Sequence, residues 1–124
     1  MIICVVGLPG SGKTWYAKNV LKWDYFVDDP TDFFDFPKDV PLEKTVVICD
    51  PALCLSKTRA KNILDVMYPG HEIEWIFFEN DLEQCKKNVA YRNDGRKVNI
   101  TLEHLSKNYV IPEGVVPLPV WRQQ

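Results

Sequence analysis

Short apolar runs alternate along the chain with segments whose apolar residues recur at helical spacing. Four runs rich in β-branched and aromatic residues predict β-strands at 2–6, 25–27, 45–49 and 72–78. The periodic segments predict helices at 13–22 and 56–68, a third that begins after Asn80 or Asp81, and a fourth that begins after a cap at Thr101. Strands that alternate with helices indicate an α/β fold with a small parallel sheet.

The length and the charge of the chain narrow the class of protein. The chain has 124 residues, which suits a single domain over 1–124, and 46% of them are hydrophobic. The net charge is −2, so a broad basic surface for nucleic acid is not expected. No apolar run approaches the ~20 residues of a membrane span, and no membrane partner is expected. The short N-terminal run also lacks the basic lead of a signal peptide.

The cysteines and the C-terminal tail are expected to belong to the core. The four cysteines lack the spacing of metal ligands, which indicates structural thiols in a reducing compartment. The proline-rich tail, residues 112–124, carries several apolar side chains. We expect it to pack on the sheet of its own domain, because a small domain needs that apolar area.

The segment between the first strand and the first helix carries a specific motif. It reads GLPGSGKT and matches the pattern G-x-x-x-x-G-K-[ST] in the strand–loop–helix context that the pattern requires. The motif predicts a nucleoside triphosphate site with Mg²⁺, formed by Gly7, Leu8, Pro9, Gly10, Ser11, Gly12, Lys13 and Thr14. The loop N–H groups would surround the phosphates. Lys13 would reach the β- and γ-phosphates, and the Thr14 hydroxyl would ligate Mg²⁺.

Two acidic residues stand where predicted strands end. Asp50 follows the apolar run at 46–49 and is expected to support the metal. Asp28 follows the strand at 25–27 and is interpreted as a general base for an attacking hydroxyl, with Asp29 as the alternative. Ligands of parallel sheets gather at the carboxyl ends of the strands, so both acids are expected near the glycine loop.

The arginines mark a predicted lid. Arg92 and Arg96 flank an Asn-Asp-Gly break within residues 81–100, after the fourth strand. Guanidinium groups there would stabilise the charge of a transferring phosphoryl group. The two histidines, His71 and His104, are expected at the surface.

Together these features resemble the small P-loop kinases, most closely the 5′-kinase domain of bacteriophage polynucleotide kinase. The resemblance is carried, in chain order, by GLPGSGKT, the strand before Asp28, VVICDPALC, EIEWIFFEN, the segment with Arg92 and Arg96, and NITLEHLSKNY. It implies a three-layer α/β/α P-loop NTPase fold of the adenylate-kinase kind with a helical lid, located in the cytoplasm, or in the host cytoplasm if phage-encoded. It also implies ATP and Mg²⁺ as cofactors and catalytic roles for Lys13, Asp28, and Arg92 or Arg96.

The acceptor of the phosphoryl group stays open at this stage. Polynucleotide kinases carry an arginine soon after the base acid, whereas this chain has none before Arg59, and its segment 28–45 is acidic. A polynucleotide 5′-hydroxyl on a single-stranded end is the first acceptor expected. The alternatives are a small hydroxyl compound such as a nucleoside or nucleotide, or a nucleotide-binding viral accessory protein with little transferase activity.

Overall fold

Four parallel strands form the sheet around which the chain folds. The computed structural model describes residues 1–28, 36–55, 57–92 and 99–122. The strands are β1 (Ile2–Val6), β2 (Tyr25–Asp28), β3 (Val46–Cys49) and β4 (Ile73–Phe77). Their spatial order is β2-β3-β1-β4, and every pairing is parallel. The predicted α/β fold with a small parallel sheet is therefore confirmed, with each strand within one or two residues of its expected bounds.

The two inner strands explain why the sequence forms this sheet. All side chains of β1 and β3 are buried, as their uninterrupted apolar runs require. In β1, Ile2 lies opposite Val46 on one side and Ile73 on the other. The edge strand β2 is more polar, and its last residue, Asp28, is exposed. The glycine-rich motif thus begins at the end of a central, fully covered strand.

Helices cover both faces of the sheet. They are α1 (Lys13–Asn19), α2 (Lys57–Met67), α3 (Leu82–Arg92) and α4 (Asn99–Asn108). Ala17 of α1 packs on Ile3 and Val5, whereas side chains of α2, α3 and α4 pack on the opposite face with Ile2 and Val6. In the described part of the chain, no helix combines the length and apolar character needed to cross a bilayer.

Two helix ends differ from the sequence-based expectation. Helix α1 ends at Asn19 rather than at 22, and Val20 is its C-cap. In this last turn the side-chain amide of Asn19 donates to the Trp15 carbonyl oxygen at 2.8 Å. Helix α4 begins at Asn99, so Thr101 lies inside the helix and the prediction that it caps the helix was wrong. The expected apolar face of α4 is confirmed, since Leu102 and Leu105 are buried.

The C-terminal tail extends the sheet beyond β4. Leu118 forms a parallel bridge with Phe78, and its N–H donates to the Phe77 carbonyl oxygen at 2.8 Å. Val120 is buried with the side chains of α3 and α4. The expectation that the tail packs on its own domain is confirmed, and its last described residues are directed back towards the glycine-rich loop.

The four cysteines are all buried and unpaired. Burial raises the pKa of Cys4 and of Cys49 to about 12, with each thiol protonated at neutral pH as a consequence. Such thiols act as small core side chains, which agrees with the expectation from the sequence.

Replacing Tyr109 by Phe tests the connection between the end of α4 and the sheet. The buried Tyr109 hydroxyl donates to the Phe78 carbonyl oxygen at 2.5 Å. Removing it leaves a buried acceptor without this donor, so Tyr109→Phe should lower the free energy of unfolding by about 1–2 kcal/mol in urea denaturation. Tyr91→Phe is the matched control, because Tyr91 is 58% exposed. Equal stability of the two variants would contradict the prediction.

Candidate functional site

The glycine-rich loop has a backbone that only glycine tolerates at two positions. Residues 7–12 join β1 to α1, and Gly12 caps the helix by accepting the Tyr16 N–H at 3.0 Å. Gly10 and Gly12 have φ angles of 84° and 101°. A Cβ on Gly10 would lie 2.9 Å from the Cys85 carbonyl oxygen, and one on Gly12 would lie 3.0 Å from the Cβ of Trp121. The glycines therefore allow α3 and the tail to approach the loop closely.

The lysine of the motif is buried within the loop. Lys13 is 7% exposed, and its Nζ donates to the carbonyl oxygens of Gly7 at 2.9 Å and of Leu8 at 3.0 Å. Burial lowers the pKa of Lys13. Neighbouring groups that can carry negative charge, Cys54 first and Asp28 among the others, oppose this effect. The loop carbonyl oxygens thus replace part of the hydrogen bonding to water that the buried ammonium group loses.

The hydroxyl of the motif meets one of the two predicted acids. Thr14 Oγ1 donates to Asp28 Oδ2 at 3.2 Å, which joins the first turn of α1 to the end of β2. Asp50 directly follows β3, the strand between β2 and β1, and is half-buried. The Asp50 carbonyl oxygen also accepts the Leu53 N–H at 3.1 Å, within a 3-10 turn at Pro51–Cys54. Three strand ends therefore bring the loop, Asp28 and Asp50 together, as the sequence predicted.

A cavity of about 1160 Å³ lies over this convergence. The predicted site residues that line it are Pro9, Gly10, Gly12, Lys13, Thr14, Asp28, Asp50 and Arg92. Gly7, Leu8 and Ser11 are buried beneath the lining, and the Ser11 hydroxyl has no hydrogen-bond partner among the described residues. Two further predicted residues, Asp29 and Arg96, lie outside the described residues.

Several lining residues were not predicted from the sequence. They are Trp15, Leu55, Asn88, Tyr91, Thr101, His104, Leu105 and Trp121. His104 is exposed as expected, but it faces the cavity. His71 differs from the expectation of a surface residue, because it is half-buried with its Nε2 3.0 Å from the Val40 carbonyl oxygen. The helical spacing of 82–92 could have indicated that Asn88 faces inward beside Cys85 and Val89.

The buried amide of Asn88 connects three parts of the site. Its Nδ2 donates to the carbonyl oxygens of Gly10 at 2.8 Å and of Trp121 at 2.5 Å, and its Oδ1 accepts from Gln84 Nε2 at 2.9 Å. The Trp121 N–H in turn donates to the Ser11 carbonyl oxygen at 3.0 Å. The loop, α3 and the tail are therefore held together by polar groups that satisfy one another.

The fold and the cavity define a small α/β protein whose site lies at the carboxyl ends of a parallel sheet. The chain is 38% identical over 104 residues to "Uncharacterized protein R277" of Acanthamoeba polyphaga mimivirus, and the match covers 77% of this chain and 75% of the viral protein. The chain belongs to the same family as this viral protein. No protein-family model matches the chain.

Replacing Asn88 by Asp tests this polar connection. The new carboxylate would face the carbonyl oxygens of Gly10 and Trp121 without a proton to donate. We expect Asn88→Asp to lower the free energy of unfolding by about 3 kcal/mol and to speed hydrogen exchange at the Trp121 N–H. Asn108→Asp is the control, since Asn108 is exposed and its Nδ2 donates to the His104 carbonyl oxygen of the same helix. Unchanged exchange in the tail of the Asn88 variant would show that the connection is not needed.

Proposed function

We propose that the protein is an ATP- and Mg²⁺-dependent kinase that transfers the γ-phosphoryl group to a hydroxyl. The observation that carries this proposal is the hydrogen bond between Thr14 and Asp28 at the cavity wall, beside the buried ammonium group of Lys13. A cation, a hydroxyl and a carboxylate at the carboxyl ends of parallel strands match the parts that phosphoryl transfer needs.

The strand order supports the proposed arrangement of acids around the loop. Strand β1, which leads into the loop, has β3 and then β2 on one side. Asp50 follows β3 and Asp28 is the last residue of β2, so both carboxylates lie on the same flank of the loop. On this proposal the γ-phosphoryl end of the nucleotide would be directed to that flank.

The side chains at the loop fit a phosphate chain and a magnesium ion. Gly10 and Gly12 line the cavity, and Lys13 is already inside the loop. The oxygen donors for Mg²⁺ are the Thr14 hydroxyl and the Asp50 carboxylate, which are the hard ligands that this ion prefers. When bound, the ion would neutralise charge on the phosphate oxygens.

The proposed reaction is an in-line displacement at the γ-phosphorus. The acceptor hydroxyl oxygen forms a bond to phosphorus, the bond from phosphorus to the β–γ bridging oxygen breaks, and ADP leaves with that electron pair. Asp28 takes the proton of the hydroxyl. Lys13 stabilises charge on the phosphates, and Arg92, which is exposed at the end of α3 and lines the same cavity, would assist it.

A small-molecule acceptor is the second candidate, for a specific reason. The described part of the acceptor flank presents Asp28 and Asp50, and the sequence has no arginine before Arg59. Carboxylates repel the phosphates of a polynucleotide, whereas a nucleoside or another uncharged hydroxyl compound meets no such repulsion. A nucleotide-binding protein with little transferase activity is the alternative from another class.

A transfer assay separates these functions. ATP labelled at the γ-phosphate is offered with MgCl₂ to DNA and RNA oligonucleotides that carry a 5′-hydroxyl, and to a panel of nucleosides and nucleotides. Label on oligonucleotides supports polynucleotide kinase activity, and label on small acceptors alone supports the second candidate. Binding of ATP without transfer to any acceptor contradicts both kinase functions.

Replacing Lys13 by Ala should remove the cation that the proposal assigns to the phosphates. We expect turnover to be abolished and ATP binding, measured by calorimetry, to weaken by about 100-fold. Lys18→Ala is the matched control on the same helix, because Lys18 is exposed and lies over the Phe26 ring. Circular dichroism checks that both variants are folded. Wild-type affinity and turnover in Lys13→Ala would defeat the proposal.

Replacing Asp28 by Asn tests the assignment of the base. The amide oxygen can still accept the Thr14 hydroxyl, but the side chain no longer takes a proton. Turnover should fall by about 10²–10⁴-fold while ATP affinity stays within a few fold of wild type. Asp65→Asn is the control, since Asp65 is exposed on α2 and pairs with Lys61. If Asp28→Asn keeps full turnover, Asp29→Asn is the next variant to measure.

A further inference from the structure

Two tryptophan side chains stand exposed along the wall of the same cavity. Trp15 is 61% exposed and Trp121 is 44% exposed, and both line the cavity. Within the described residues, neither indole packs against another aromatic ring. Large apolar side chains left exposed on the wall of a cavity indicate a contact surface for a ligand.

The backbone of Trp121 is fixed while its ring stays open. The Trp121 N–H donates to the Ser11 carbonyl oxygen, and the Trp121 carbonyl oxygen accepts from Asn88. The Cβ of Trp121 lies 3.0 Å from the position that a Cβ on Gly12 would occupy. The tail therefore holds this indole against the loop without burying it.

Trp15 lies in the first turn of α1, three residues after Gly12, the residue that caps this helix. Trp121 of the tail lies beside Gly12. Gly12 and both tryptophan side chains line the same cavity.

The sheet order sets which end of a nucleotide would face Trp121. Asp28 ends β2 and Asp50 follows β3, on one flank of β1, whereas the tail pairs beyond β4 on the other flank. A triphosphate across the loop with its γ end at Asp28 would direct its nucleoside to the flank of Trp121.

We propose that Trp15 and Trp121 form an aromatic clamp that stacks on the base of the nucleoside triphosphate. This proposal rests on the proposed nucleotide site. Base–aromatic stacking tolerates different bases because each base has a π-face. The clamp would therefore hold adenine and guanine alike, and it would hold the smaller pyrimidine rings more weakly.

The surrounding polar groups agree with recognition by stacking rather than by the base edge. Asn88 is the buried amide next to Trp121, and its donors are used by Gly10 and Trp121 while its oxygen accepts from Gln84. Arg122, the next residue, donates to Gln84 and Asp81. These groups are committed to holding the tail, so they are not the ones that read a base.

Calorimetric titration of the full chain tests the clamp in the presence of MgCl₂. The probes are ATP, GTP, CTP and inorganic tripolyphosphate, which has the phosphates without a base. We expect ATP and GTP to bind with affinities within a few fold of each other and CTP to bind more weakly. Tripolyphosphate should bind about 10- to 100-fold more weakly than ATP.

Variants assign this difference to the two rings. Trp15→Ala and Trp121→Ala should each weaken ATP binding by about 10-fold or more and leave tripolyphosphate binding unchanged. Trp121→Phe should restore part of the loss, because it keeps a stacking ring. Trp23→Ala is the control, since Trp23 is 41% exposed but packs near Phe26 and does not line the cavity.

The outcomes distinguish the clamp from the proposed function. Tripolyphosphate that binds as tightly as ATP, or alanine variants that keep wild-type ATP affinity, would overturn the clamp and leave the kinase proposal standing. Base-dependent binding that needs both rings, without transfer to any acceptor, would support the clamp and contradict the kinase. Absence of binding by every probe would overturn both.

Discussion

The buried ammonium group of Lys13 is the constraint on which the site depends. A lysine nitrogen removed from water needs replacement partners, and here the carbonyl oxygens of Gly7 and Leu8 supply them. Those carbonyls are available because the loop curves tightly after β1, which in turn requires positive φ angles at Gly10 and Gly12. The position of the loop is itself set by β1, the central strand with every side chain buried. Loop, lysine and strand therefore form one unit.

The C-terminal tail forms part of the cavity wall and is bonded to the glycine-rich loop. A parallel bridge at Leu118 places the tail beside β4, and the Trp121 N–H then reaches the Ser11 carbonyl oxygen. Asn88 completes the connection by donating to both the loop and the tail. The tail thus lies beside the four-stranded sheet, next to β4, and also forms part of the cavity wall. A substitution that displaces the tail is therefore expected to disturb the loop as well.

The sequence predicts the elements that short-range patterns determine. Apolar runs identified the strands, and the positions of Asp28 and Asp50 after those runs followed from the strand ends. The cap of α4 was predicted wrongly because the capping propensity of Thr101 does not by itself fix where a helix begins, and α4 already includes Asn99. The approach of Trp121 to Gly12 was not predictable, since it depends on pairing between residues far apart in the chain. The helical spacing of α3 indicates that Asn88 faces inward. No pattern in the sequence indicates that it bonds the carbonyl oxygens of Gly10 and Trp121.

The two flanks of the loop differ in chemistry, and the difference bears on the acceptor. The tail beyond β4 presents the indole of Trp121, and Trp15 of α1 lines the same cavity, whereas the flank at β2 and β3 presents carboxylates. If a nucleotide lies across the loop as we propose, aromatic surface meets its base and negative charge faces the incoming hydroxyl. Carboxylates there suit the removal of a proton and disfavour a phosphate close to it. An acceptor whose hydroxyl stands apart from any phosphate is therefore the one that this flank accommodates with least repulsion.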